Sequence, residues 1–195
     1  MGLERVERLE NDYEIDLEWK AFELKPGTPP EGIPRPFKEG ETGALRGHMK
    51  EAAEAAGLVR MRRQQLTPNS RPSLEAAVYA GDQGRVQQYN RAVFKAFWDE
   101  GKDIGDAQVL QDVFQECGLD WEDFNRSKGD GQYAQRVDTE LAEARMYGIS
   151  GVPAFILDRY LISGAQPYEV FQQAMELIRK EKAPKGLWTP GQDAG

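Results

Sequence analysis

Chemistry-bearing side chains are scarce in this chain of 195 residues. Cys117 is its one cysteine and His48 its one histidine. Counting alone therefore excludes an intramolecular disulfide and a thiolate metal cluster. A histidine-based zinc site and a Ser-His-Asp triad fall with them. Cys117 stands at the C-terminal end of an apolar helix pattern, where the helix dipole opposes a thiolate, and it reads as a small core residue. His48, between Gly47 and Met49 on a charged helix, reads as a solvated side chain. Glu140 and Glu143 share a helix face and need no catalytic role. Tyr89, Phe94, Phe97 and Trp98 read as helical packing rather than a cofactor pocket. These residues point to no catalytic group, no metal and no cofactor.

What remains is a backbone feature, the dipeptide Val152-Pro153. A proline cannot donate to a ladder, so it must sit at a strand start or edge. Only X-Pro bonds adopt cis cheaply, and a cis bond here would turn the neighbouring backbone outward, toward an extended peptide or small ligand. The dipeptide alone favours an ordinary trans proline. Gly151, Val152 and Pro153 are the candidate binding residues. The elements around them are legible. The run 154–157 is a short buried strand, and Tyr160-Leu161-Ile162 is a second. Asp158-Arg159 joins them in an antiparallel hairpin whose turn type stays open. Ser163-Gly164 ends the hairpin, and Pro167 fits the first position of a helix.

The rest of the chain positions this hairpin. Leu3, Val6 and Leu9 mark one face of a first helix, which Asn11-Asp12 stops. Residues 14–22 alternate, with Ile15, Leu17 and Trp19 on one side, as in a half-buried or edge strand; Trp19 reads as core. Five prolines make 26–36 a loop. From Thr42 the pattern is helical for about a hundred residues: 44–56 ended by Gly57, then a helix near Pro72 capped by Asn69 or Ser70. A helix with Val86, Tyr89, Val93 and Phe97 inward follows, then one capped by Asp106 and ended by Gly118. Its buried side is Val109, Leu110, Val113, Phe114 and Cys117. Stretches 121–124 and 133–147 supply two more. After the hairpin, 168–180 is amphipathic, with Val170, Phe171, Ala174, Leu177 and Ile178 inward. The tail from Ala183 is expected to be mobile.

Composition narrows the partners. A hydrophobic fraction of 39% with eight Phe, seven Tyr and four Trp supports a core. A net charge of −8 and a pI near 4.9 argue against nucleic acid. Arg60, Arg62 and Arg63 are one small basic cluster, read as a solvated helix face. No run approaches the roughly 20 apolar residues of a membrane span. The N-terminal residues are charged from Glu4 and lack an apolar signal region, so the expected location is cytoplasmic.

The run Gly148-Ile-Ser-Gly-Val-Pro-Ala-Phe, followed by Ser163-Gly-Ala-Gln-Pro, resembles the C-terminal signature of DsbA-type thioredoxin-fold oxidoreductases, in particular the FrnE-like branch. Phe22-Glu-Leu-Lys-Pro, Thr67-Pro-Asn-Ser, Asp103-Ile-Gly-Asp and Leu141-Ala-Glu-Ala-Arg look like further landmarks of that branch, in order. The resemblance implies an α/β, thioredoxin-like core over 1–40 and 146–182, with an all-helical insertion over 41–145. It implies a cis bond at Val152-Pro153 and a groove lined by Asn69, for which a plain helix cap is the competing reading. It also implies thiol–disulfide exchange with proteins, peptides or small thiols. Met1-Gly2-Leu3-Glu4 matches the family just after its second redox cysteine, so the first strand and the C-x-x-C motif are missing from this sequence. The expectation is a truncated form, with Met1 an internal methionine of a longer frame. A non-catalytic peptide-binding protein is one alternative. A glutathione-dependent isomerase or transferase of the 2-hydroxychromene-2-carboxylate isomerase or kappa type is another. A homodimer is plausible, because the absent strand would leave two ladder edges open.

Overall fold

The structure is a computed structural model and describes residues 2–182. The expected mobile tail from Ala183 lies outside the described residues. Eight α-helices and four short strands follow one another as α1 (Gly2–Asp12), β1 (Ile33–Pro34), α2 (Gly47–Ala55), β2 (Leu66–Thr67), α3 (Arg71–Asp82) and α4 (Val86–Trp98). Then come α5 (Ala107–Cys117), α6 (Trp121–Ser127), α7 (Gln132–Met146), β3 (Ala154–Leu157), β4 (Tyr160–Ser163) and α8 (Tyr168–Lys182). The fold is the α/β, thioredoxin-like one that the sequence predicts.

Helices α3 to α7 surround the larger core. Phe114 and Val137 are fully buried at its centre, with Tyr79, Tyr89 and Phe124 beside them. Local signals set the helix ends. The Asp106 carboxylate accepts the amides of Gln108 and Val109, and Gly118 closes α5 at a φ of 64°. Arg71 ties α3 to α7, bonding the Asp138 carboxylate at 2.7 Å and the Ala134 carbonyl at 2.7 Å. That contact holds the Asp138 carboxyl below its ordinary range.

A smaller core joins α1, the β3–β4 hairpin and α8. It consists of Leu9, Ile162, Tyr168, Phe171 and Ala174, with Tyr13, Ile15, Phe155, Leu157 and Met175 packed on it. In the hairpin Ala154 pairs with Ser163 and Leu157 with Tyr160. Asp158 takes the left-handed conformation (φ 55°) that the two-residue turn requires, a conformation aspartate tolerates better than most residues.

Several expectations need correction. Residues 14–22 show the predicted alternation of half-buried and exposed positions but form no ladder with any described residue. Their anchors come instead from α7: Glu140 accepts the Ala21 amide at 2.5 Å, and Glu143 meets Lys20 at 3.3 Å. The proline-rich loop contributes β1, whose two residues pair with β2, because Pro34 needs no donor at such a short edge. Helix α2 begins at Gly47 rather than 44, since Arg46 ahead of it is extended, at φ −135° and ψ 157°. Arg60, Arg62 and Arg63 lie in irregular chain beyond α2, not on a helix. Phe94 on α4, and Val170 and Leu177 on α8, face solvent, because only a narrow stripe of each helix meets a neighbour. Pro167 lies one residue ahead of α8, and its carbonyl accepts the Val170 amide.

Candidate functional site

The site is assembled where the start of α1 meets the loop leading into β3. Helix α7 ends in a Schellman motif: the Ile149 amide bonds the Ala144 carbonyl, and the Gly148 amide bonds that of Arg145. Gly148 takes the φ of 71° that this reversal needs. The chain then passes Gly151 and the 54%-exposed Val152 to reach Pro153. The Val152–Pro153 peptide bond is cis. The Pro153 carbonyl accepts the Gly164 amide at 2.8 Å, which extends the hairpin register by one pair and fixes the proline to β4.

Gly2 opens α1 against that proline. A Cβ on Gly2 would lie 3.0 Å from the Pro153 Cβ and 3.7 Å from Phe155 Cζ. Contacts with α8 and the residue ahead of Pro167 help hold α1 in place. Arg5, 8% exposed, donates from its Nε to the Gln166 carbonyl at 2.9 Å and pairs with Glu4. Tyr168 donates its hydroxyl to Asp12 at 2.7 Å, and Arg8 stacks on its ring at 3.8 Å. Burial and the Asp12 carboxylate push the Tyr168 phenol above its ordinary range. Sequence reasoning missed Arg5, although its spacing of four from Leu9 places both on one helix face.

The arrangement therefore sets the N-terminal end of a helix, where backbone amides favour negative charge, against an outward-facing cis-proline loop. The first turn of α1, Gly2 to Arg5, carries no thiol. Cys117 does not reach the site. It closes α5 inside the helical core, and burial, the larger cause, together with Glu116 pushes its thiol up. Asn69 is occupied locally: its side-chain oxygen accepts the Arg71 amide at 3.0 Å, the turn-capping role that competed with groove lining. Trp19 is half-buried, and its indole N–H is sealed without an acceptor among the described residues. No group of three or more His, Cys, Asp or Glu side chains capable of holding a metal occurs among the described residues. No described helix is long and apolar enough to cross a membrane.

Comparison with known proteins fits this geometry. The chain is similar to a Streptomyces coelicolor protein described as a probable DsbA oxidoreductase, with 27% identity and a TM-score of 0.76, covering 99% of this chain and 91% of that one. It is 29% identical over 174 residues to YwbO of Bacillus subtilis, a protein named as uncharacterised, covering 87% of this chain and 85% of that protein. It shares its fold with a 2-hydroxychromene-2-carboxylate isomerase, at 18% identity and a TM-score of 0.66, covering 92% of this chain and 90% of the isomerase. The family model of the DSBA-like thioredoxin domain matches residues 1–176. The chain belongs to the family of DSBA-like thioredoxin domains.

Proposed function

We propose that this chain supplies the substrate-binding half of a DsbA-type thiol–disulfide exchange site, of the FrnE-like branch. A first strand and a C-x-x-C pair would lie upstream of Gly2 in a longer reading frame. The observation that carries this reading is the close approach of Gly2, the first residue of α1, to Pro153, where a Cβ on Gly2 would lie 3.0 Å from the proline Cβ. Two ladder edges support it: residues 14–22 alternate in burial without a partner, and β3 is paired on its β4 side only, among the described residues. A strand entering between them would satisfy both, at the usual spacing of about 4.8 Å.

In this reading, a thiolate at the start of α1 attacks one sulfur of a substrate disulfide and releases the other as a thiol. The second cysteine then displaces the substrate, so two electrons reduce the disulfide as the cysteine pair is oxidised. This chain's own contribution is to present the Gly151, Val152 and Pro153 backbone to the extended substrate. The exposed apolar side chains Met146, Tyr147 and Val152 flank the approach to that loop. Asn69 belongs to the site only if a bound substrate draws its carboxamide away from the Arg71 amide.

The test is the intact mass and N-terminal sequence of the protein from its native source, followed by insulin reduction by that product. The expected result is a longer chain with two additional cysteines that reduces insulin. A native product beginning at Met1 would overturn the exchange reading. Saturable binding of unfolded peptide by that product would then indicate the non-catalytic alternative, and binding of glutathione the isomerase-type one.

A further inference from the structure

A second site lies away from the cis-proline loop. The irregular chain between α2 and β2, together with the turn after α4, borders an open cleft of about 620 Å³. Small organic ligands occupy sites of roughly 300–1,000 Å³. Arg60, Arg62, Arg63 and Lys102 line it, in a chain with 33 acidic and only 25 basic residues. The rings of Phe37 and Phe97 line the same cleft, and the Arg63 guanidinium lies 5.2 Å over Phe37. This segment is tied down on both sides. The Arg62 amide bonds the Trp98 carbonyl at 3.2 Å, and the Arg63 amide bonds that of Gly43 at 2.7 Å.

The nearby carboxylates pair with Arg63 and Lys102 but with neither Arg60 nor Arg62 among the described residues. Glu41 meets Arg63 at 3.4 Å and Arg46 at 3.3 Å, while Glu100 is held by Lys102 at 2.8 Å and Lys95 at 3.7 Å. Arg60 and Arg62 make no ion pair among the described residues, and the Arg63 Nε is sealed from solvent without an acceptor among them. Arg60 and Arg62 are exposed and so offer two guanidinium groups to an incoming anion. Guanidinium groups suit carboxylate and sulfonate oxygens, and the two rings suit a flat apolar body.

We propose that this cleft binds a small organic anion with an aromatic or acyl body, its acidic group facing Arg60 and Arg62 and its body lying against Phe37 and Phe97. The probe is anilinonaphthalenesulfonate, titrated into the full chain by fluorescence. Saturable binding is expected to weaken several-fold when salt rises from about 20 to about 500 mM, which shortens the Debye length. The Arg60→Glu/Arg62→Glu variant should bind at least tenfold more weakly while keeping the same urea midpoint, because both side chains are exposed. Neutral phenylnaphthylamine should bind at least tenfold more weakly to the unaltered chain. Affinity unchanged in the double variant, equal binding of the neutral analogue, or no saturable binding would each overturn the proposal.

Discussion

Two phenylalanines show how differently the two cores are built. Phe114 has the rings of Tyr79, Tyr89, Trp121 and Phe124 within 6.0 Å, on three helices besides its own, α3, α4 and α6. Phe171 has Phe155 at 4.9 Å and Tyr168 at 6.4 Å, in a core of five buried residues edged by half-buried ones. The contrast follows from backbone chemistry. A helix satisfies its own amides, so packed helices need only side chains to complete a core. A strand needs a neighbour, and residues 14–22 and β3 each retain an edge with no ladder partner among the described residues. The helical part is finished internally, whereas the hairpin part keeps a ladder edge unpaired among the described residues.

The sharpest test of this contrast is to truncate both rings. Phe114→Ala should cost about 3–5 kcal/mol and remove cooperative unfolding of the helical core, read by urea denaturation with far-ultraviolet circular dichroism. Phe171→Ala should instead remove hydrogen-exchange protection from β3, β4 and α8 while leaving α4 and α5 protected. Equal loss of protection in both parts after Phe171→Ala would show one cooperative unit and break the comparison.

A smaller effect is expected from Asp106→Ala, about 1 kcal/mol, because the amides of Gln108 and Val109 lose their acceptor. Urea midpoints against the unaltered chain measure it, and an unchanged midpoint would show that α5 is held by packing alone. The last test separates the parts by alkaline titration. Burial, then the hydrogen bond to Asp123, pushes the Tyr79 phenol up to about 12 from an ordinary 10. A raised folded value means that this contribution is fully present below about pH 10 and lost as pH rises through about 12. Tyrosinate absorbance with Tyr79→Phe as reference follows this ionisation; a transition already complete at pH 10 would contradict it.

Most of the framework was legible in the sequence because its signals are local. Asp106 and Gly118 announced both ends of α5, and the run after Pro153 announced the hairpin and its two-residue turn. The alternation over 14–22 was equally readable, but a ladder depends on a second segment, which no period in those residues reveals. For the same reason the two-residue β1 was hidden among prolines. The helical faces were read too broadly at Phe94, Val170 and Leu177, since hydrophobicity alone does not say which part of a stripe has a neighbour. In the site, Pro153 stood out by its chemistry. Gly2 and Arg5 did not, because their importance comes from an approach between opposite ends of the chain. The three clustered arginines were visible, but the cleft around them depends on Phe37, Phe97 and Lys102 arriving from elsewhere.

The closeness of Gly2 to Pro153 has a practical consequence for handling this protein. Any affinity tag or linker fused ahead of Gly2 would be tethered within reach of the cis-proline loop. On the proposed reading of that loop as a peptide-binding site, such a tag, held at high local concentration, would compete there with added peptides. Titrations on N-terminally tagged protein would then report displacement of the tag, and removing it should by itself raise the apparent affinity for peptides.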